Sequence, residues 1–344
     1  MDIQPCTLCG MRPATQLNSH IIPSFMIARV CSYDGSGRRD KEVMFTMSTY
    51  EDKVYTGQIP STKIEELFDT ENLTDERIEN ELKNNTAAKD NIFCPECERN
   101  LSVCLESPYA AYLYGGKQID GATAYFFWVS IVWRLSISGQ FNFHLPPTLE
   151  KLLQEKLYSF INAKKANEND FGDLLRSCPL RYRAISAPDY LDGKEAGYLG
   201  GRYDYNKNIL SLSMGDKMLC VTFTDDSLPE DYSFYGFENE LRDAVVNNGQ
   251  VEEQMCVVPK DRFAEGIQWM IKETAFKRIQ NEKELADALW QKVGLPGVGM
   301  PDVIFKIFMD RLYSEESKQG DRKSAERYVG VFNDTLQSFG FQPL

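Results

Sequence analysis

Apolar positions change their spacing several times along the chain, and each change predicts a different kind of structure. Residues 17–22 form a short extended run closed by Pro23, after which Ser24 is placed to cap one or two helical turns through Phe25, Met26 and Ile27. Residues 42–55 alternate, with Val43, Phe45 and Met47 on one side, which predicts a strand pair. Over residues 61–89, Ile64, Leu67, Phe68, Leu73, Ile78 and Leu82 recur at helical spacing on a charged background, predicting an exposed helical insertion. A helix is expected at 98–114, burying Leu101, Cys104, Leu105, Tyr109 and Tyr112. Residues 122–138 are apolar on every side except at Arg134, the pattern of a helix inside a core. Residues 147–166 are amphipathic, with Leu149, Leu152, Leu153, Leu157, Phe160 and Ile161 on one face.

From residue 180 the texture becomes strand-like. Runs at 182–185, 198–205, 209–214, 218–223 and 255–258 predict a small antiparallel sheet, with Gly200-Gly201 and the stretch 214–217 as turns. A helix at 239–247 interrupts it. The remainder is helical, at 262–280, 283–293, 300–314 and 321–339. The fold class is therefore α+β. Residues 1–115 form an N-terminal module with an acidic helical insertion at about 51–91, and residues 116–344 form a mixed helical and α+β extension.

With 344 residues and 42% apolar content, the chain is long enough to bury one large core or two smaller ones. Its start lacks a basic, then apolar, leader, so no secretory signal is expected. The most apolar run, 122–138, is short for a span of roughly 20 residues and carries Arg134, so no membrane partner is expected and a cytoplasmic location follows. The net charge of −13 argues against a broadly basic nucleic-acid binder. Residues 51–91 hold eleven acids and five bases, whereas Arg12, Arg29, Arg38, Arg39 and Lys41 cluster in sequence near His20. A local basic patch, or an acidic insertion covering a site, fits that distribution.

The nine cysteines in a chain without a leader favour metal binding over disulfides. Cys6 and Cys9 form one Cys-x-x-Cys pair and Cys94 and Cys97 another, with 84 residues between Cys9 and Cys94. Two such pairs supply four thiolates, a closed tetrahedral shell for a structural Zn²⁺ that leaves no open position for substrate. Cys31, Cys104, Cys178, Cys220 and Cys256 are expected as small buried apolar residues. Arg134 needs a partner in the core, either an acid such as Glu106 or Asp120 or a phosphate in a site. His144, beside Pro146 and Pro147, reads as a surface residue of a connection.

The constellation of Cys6, Cys9, His20-Ile21-Ile22-Pro23, Cys94 and Cys97 resembles the HNH, or ββα-metal, endonucleases in their four-cysteine zinc form. The resemblance covers residues 1 to about 106. It implies a treble-clef-type ββα fold in which His20 is the general base that activates water and Glu98 stands where the family places a ligand for a catalytic Mg²⁺ or Mn²⁺. It also implies hydrolysis of DNA or RNA phosphodiesters. Ser19 departs from the acidic residue usual before the histidine, and Asn72, Asn80, Asn84, Asn85 and Asn91 are all candidates for the middle asparagine. The chain is also similar to bacterial proteins of unassigned function that share Ser-His-Ile-Ile-Pro-Ser-Phe and a downstream helix ending in Trp133-Arg134. Two further readings follow: a catalytically inactive zinc scaffold that binds a protein or nucleic acid, and a bacterial defence effector whose residues 140–344 sense or bind a protein partner.

Overall fold

The computed structural model describes residues 4–26, 41–47, 50–56, 88–138, 143–192, 198–223, 228–312 and 325–343. They gather into two compact units, one within residues 1–41, 55–59 and 79–267, the other within 42–54, 60–78 and 268–344. Residues 107–138, on both sides of the expected boundary at 115, belong to the first unit.

The first unit opens with strand β1 (Ser19–His20), which pairs antiparallel with β4 (Ala88–Lys89), Ser19 opposite Lys89 and His20 opposite Ala88. Between them in sequence, but mostly within the second unit, β2 (Lys41–Met47) and β3 (Tyr50–Thr56) form the strand pair expected at 42–55. The helical insertion expected at 61–89 lies outside the described residues, except that Ala88 and Lys89 are strand.

Helix α1 (Pro95–Leu101) starts where its sequence demands. The Cys94 sulfur caps it by accepting from the Cys97 amide, proline occupies its first turn, and Glu96 and Glu98 meet the positive end of its dipole. A π-helical turn (Ser102–Glu106) follows directly and runs into α2 (Ser107–Gly115), which Gly116 ends in a left-handed conformation at φ 59°. The single helix expected at 98–114 is thus two α-helical pieces around a π turn.

Helix α3 (Gly121–Ser138) is the buried helix that its apolar run predicts. Asp120 caps it, accepting 2.8 Å from the Thr123 amide and 2.7 Å from its hydroxyl. Its rings reach several neighbours: Phe126 stacks on Phe160 at 4.2 Å, Phe127 on Tyr109 at 3.9 Å and Trp133 on Phe93 at 5.8 Å. Each such ring stabilises the unit by about 1.5–3 kcal/mol through burial alone. Phe160 belongs to α4 (Pro147–Lys165), and α5 (Gly172–Ser177) follows.

The sheet has five strands in the order β6 (Tyr198–Asp204), β7 (Ile209–Gly215), β8 (Lys217–Thr222), β5 (Arg181–Ser186), β9 (Cys256–Val257). Its pairings are antiparallel except for β9, which runs parallel to β5, so the sheet is mixed where an antiparallel one was expected. Helix α6 (Glu238–Asp243) lies on the long return from β8, and that return lets β9 enter parallel. Gly200 and Gly201 sit inside β6 instead of forming a turn. A Cβ on Gly201 would meet Ser211 O at 3.4 Å, and the turn itself ends at Asn208, whose φ is 55°.

Helix α7 (Lys260–Lys292) is continuous where two helices were expected, because nothing between Gln280 and Lys283 breaks a helix. In the second unit, Trp290 packs with Phe308 of α8 (Asp302–Leu312) and with Phe332 and Leu336 of α9 (Ala325–Ser338) to form a separate core.

Candidate metal centre and the His20 site

The four paired cysteines converge. The sulfurs of Cys6, Cys9, Cys94 and Cys97 all lie within 4.8 Å of one another, close to the edge of about 3.8 Å that a tetrahedron with 2.3 Å zinc–sulfur bonds requires. Local bonds fold each pair around the common centre. The Gly10 amide donates to Cys6 O at 2.7 Å while Gly10 takes φ 65°, and the Cys94 sulfur is turned inward by its bond from the Cys97 amide at 3.4 Å. The two knuckles are tied together by Thr7 N to Ile92 O at 2.9 Å and Gln16 N to Phe93 O at 3.0 Å. Helix α4 adds a clamp, because the Gln154 amide donates to Thr7 O at 2.7 Å and Leu8 O at 2.9 Å.

Electrostatics shows what this centre wants. The Cys97 thiol donates toward Cys6, so Cys6 is held well below the ordinary thiol range and Cys97 is pushed above it. Thiolates this close repel one another unless a cation lies among them, and a divalent ion meets that need. The donor set therefore fits structural zinc. Arg12 hydrogen-bonds Cys94 and pairs with Glu96 at 2.8 Å, which Lys165 also reaches at 3.1 Å. Arg12 thus braces the knuckle, while Arg29, Arg38 and Arg39 lie outside the described residues.

Cys104 is not part of the cluster. Seven residues at 100° each would return Cys104 close to the side of Cys97 in a regular α-helix, but Cys104 lies inside the π turn, where that spacing does not hold. The same turn brings Glu106 round. Eight regular steps would leave it about 80° from Glu98, and removing one step brings the two carboxylates to within about 20°.

His20 lies on β1, next to this centre in the fold. Its main-chain carbonyl accepts from Arg134 Nη1 at 2.8 Å, and the same nitrogen pairs with Glu106 Oε1 at 2.7 Å. Of the two acids expected to partner Arg134, Glu106 does so. Asp120 instead caps α3 and pairs with Lys164 at 3.0 Å. The Glu98 carboxyl faces the same place. Burial raises its affinity for a proton, and the opposing influences are the charge of Arg134, the Ser19 hydroxyl and the His20 main chain, with Glu106 adding to the burial effect. Glu98 Oε2 and Arg134 Nη2 are buried and complete no hydrogen bond among the described residues, and Ser19 Oγ, though it approaches the Glu98 carboxyl, completes none with full hydrogen-bond geometry either. Three such atoms around one cluster are unusual in a folded interior.

The remaining candidates are accounted for locally. Asn91, the one middle-asparagine candidate within the described residues, takes φ 58° in the turn after β4 and donates its amide to Gln16 O at 2.8 Å. That conformation explains an asparagine there without a role at His20. His144 is exposed, as expected of a connection. Cys178 and Cys220 are buried apolar residues, Cys104 and Cys256 are half-buried, and Cys31 lies outside the described residues. Sequence reading missed Glu253, whose carboxylate accepts from Tyr182 Oη at 2.7 Å, Trp128 Nε1 at 2.8 Å and Tyr109 Oη at 3.0 Å. Its partners are scattered over α2, α3 and β5, so no local signal marks it.

Among the described residues no helix is long and apolar enough to cross a membrane. No family model, curated protein or solved structure matches the chain.

Proposed function

We propose that the chain is a metal-dependent endonuclease of the HNH kind that hydrolyses nucleic-acid phosphodiester bonds, with the four-cysteine centre as its structural zinc site. The observation that carries this reading is the Glu98 carboxyl, buried against Ser19 and His20 with one oxygen unpartnered, at the start of the helix that the cysteines anchor. Support also comes from the order of elements: an antiparallel strand pair with His20 on its first strand, followed by a helix with Glu98 in its first turn. In this reading Glu98 offers an oxygen to Mg²⁺ or Mn²⁺, and the His20 imidazole takes the proton of the attacking water. The ion, when bound, polarises the phosphate and stabilises the leaving oxygen. DNA or RNA would approach the β1 side, where the acidic overall charge calls for the cation as a bridge.

One observation favours a second reading. Ser19 offers a buried hydroxyl where the resembled family offers a carboxylate, and Arg134 pairs Glu106, so this reading leaves Glu98 without the acidic partner that the family has before its histidine. A zinc scaffold that binds a protein or nucleic acid without cutting it would tolerate that loss. Supercoiled plasmid and single-stranded RNA, incubated with zinc-replete protein and Mn²⁺, separate the two readings. Nicking by wild type that His20→Ala lowers at least 100-fold, with zinc content unchanged, supports the nuclease. Equal nicking by His20→Ala refutes it, and a zinc-only protein with no Mn²⁺ affinity favours the scaffold.

A further inference from the structure

We infer that Arg134 is a positioning residue for the His20 and Glu98 site, holding strand β1 from the core helix α3 without itself meeting substrate. This rests on the reading that His20 and Glu98 carry the chemistry. The reasoning starts from what else fixes His20. Among the described residues strands β1 and β4 are each two residues long, the ladder provides the Ser19–Lys89 and His20–Ala88 pairs, and the Asn18 amide adds a bond to Asp90 Oδ1 at 2.6 Å. A two-residue ladder holds a strand weakly. Arg134 adds a charge-assisted bond to the His20 carbonyl from a side chain that is 1% exposed and locked on three sides. Its Nε donates to Ser130 O at 3.3 Å one turn back on α3, and its Nη1 meets both His20 O and Glu106 Oε1. Strand β1, the π turn and α3 therefore meet at one guanidinium.

The cost of that arrangement is the argument for its purpose. A buried arginine loses its hydration, and an apolar residue of similar volume is often as stable or more so. Here the charge also remains imperfectly matched, because Nη2 completes no bond. The guanidinium instead joins a main-chain carbonyl on β1 to a carboxylate on the π turn, 114 and 28 positions away along the chain. The π turn ends on Glu106, the carboxylate that Arg134 pairs, so it joins α1 and α2 to the same guanidinium. Structural need alone would be met by an apolar pair, whereas a fork that ties the His20 carbonyl to Glu106 fixes where the His20 strand lies. Lysine would not replace it, since an ammonium lacks the planar geometry that spans a carbonyl and a carboxylate.

The test uses full-length, zinc-replete Arg134→Lys, Glu106→Gln and His20→Ala proteins. The chain has two histidines, so carbonyl-¹³C histidine labelling gives two signals, which His144→Gln assigns. Arg134→Lys should move the His20 carbonyl signal and leave that of His144 in place, with the zinc content intact. On plasmid with Mn²⁺, kcat should fall roughly 10- to 100-fold with KM little changed, the scale expected from misplacing a catalytic group. Arg134→Lys in a His20→Ala background should cause no further loss. Glu106→Gln preserves the side-chain volume and should give a smaller change of the same kind. Unmoved His20 signals in both variants, or additive losses with His20→Ala, would overturn the positioning role. If wild type cuts no nucleic acid, the nuclease reading falls while the carbonyl signals still decide whether Arg134 holds His20.

Discussion

Removing the metal from the four-cysteine centre should destabilise the first unit by an amount that can be worked from the chain. The ion would cross-link two knuckles separated by 84 residues, and in the chain-entropy treatment of a cross-link a loop of that length restrains the unfolded state by about 4–5 kcal/mol. Direct metal–thiolate bonding adds to this, and the bonds across the knuckles, Thr7 to Ile92, Gln16 to Phe93 and Gln154 to Thr7 and Leu8, depend on the same geometry. At roughly 2–4 °C per kcal/mol for a domain of this size, the melting temperature should drop by about 10–20 °C. The assay is differential scanning fluorimetry on protein before and after a zinc chelator, with released zinc counted colorimetrically. One zinc per chain should appear, and Cys94→Ser should lose both the zinc and the stability, while Cys104→Ser, outside the cluster, should lose neither. A purified protein without zinc, or a stripped protein that melts within about 3 °C of the loaded one, would refute the reasoning.

Other expectations can be checked in parallel. Glu253 is an acid whose proton affinity burial raises from its ordinary value near 4.5, against three donors that oppose the shift. The folded state therefore holds that proton more tightly than the unfolded one, and the contribution of this group to stability falls as pH rises from about 4.5 through the raised folded value. Urea midpoints taken at intervals upward from pH 4.5 should shift in favour of Glu253→Gln relative to wild type as pH increases, and a constant difference would contradict the assignment. Gly121→Ala should destabilise by about 2–3 kcal/mol by urea titration, because a Cβ there would lie 1.9 Å from Val251 O, a backbone atom that cannot step aside. A variant within 0.5 kcal/mol of wild type would show that this close approach relaxes without cost.

The sequence made some of this legible and not the rest, for physical reasons. Helix α3 was readable because seventeen residues with one charge fit nothing but a buried helix, and the two Cys-x-x-Cys pairs were readable because metal geometry is written in short spacings. Strand pairing at 42–55 and the strands from 180 onward followed from alternation. The π turn was not readable, since Ser102 to Glu106 has ordinary helix-forming composition and the extra residue is selected by tertiary contacts of Glu106 and Tyr109. The parallel placement of β9 depends on where a long return lands, which no local residue encodes. For the candidate site, Cys6, Cys9, Cys94, Cys97, His20 and Glu98 were all named from spacing or resemblance. The bond from Arg134 to His20 spans 114 positions and ends on a main-chain carbonyl, which carries no side-chain signature.

That last contact explains why an isolated reading of the N-terminal module is physically incomplete. Cysteines at both ends of the His20 and Glu98 elements fix where the chain enters, but they do not orient a two-residue strand. Orientation comes from α3, which is buried along nearly its whole length, and from α4, whose Gln154 holds the first knuckle. A rigid site needs supports that are themselves locked by packing. In this chain those supports lie after residue 115, so a fragment ending there would keep all four cysteines, His20 and Glu98 and lose Arg134 and Gln154. It would retain the ligands for zinc, and it would lack the contacts that hold the His20 carbonyl and the Thr7-Leu8 turn in place.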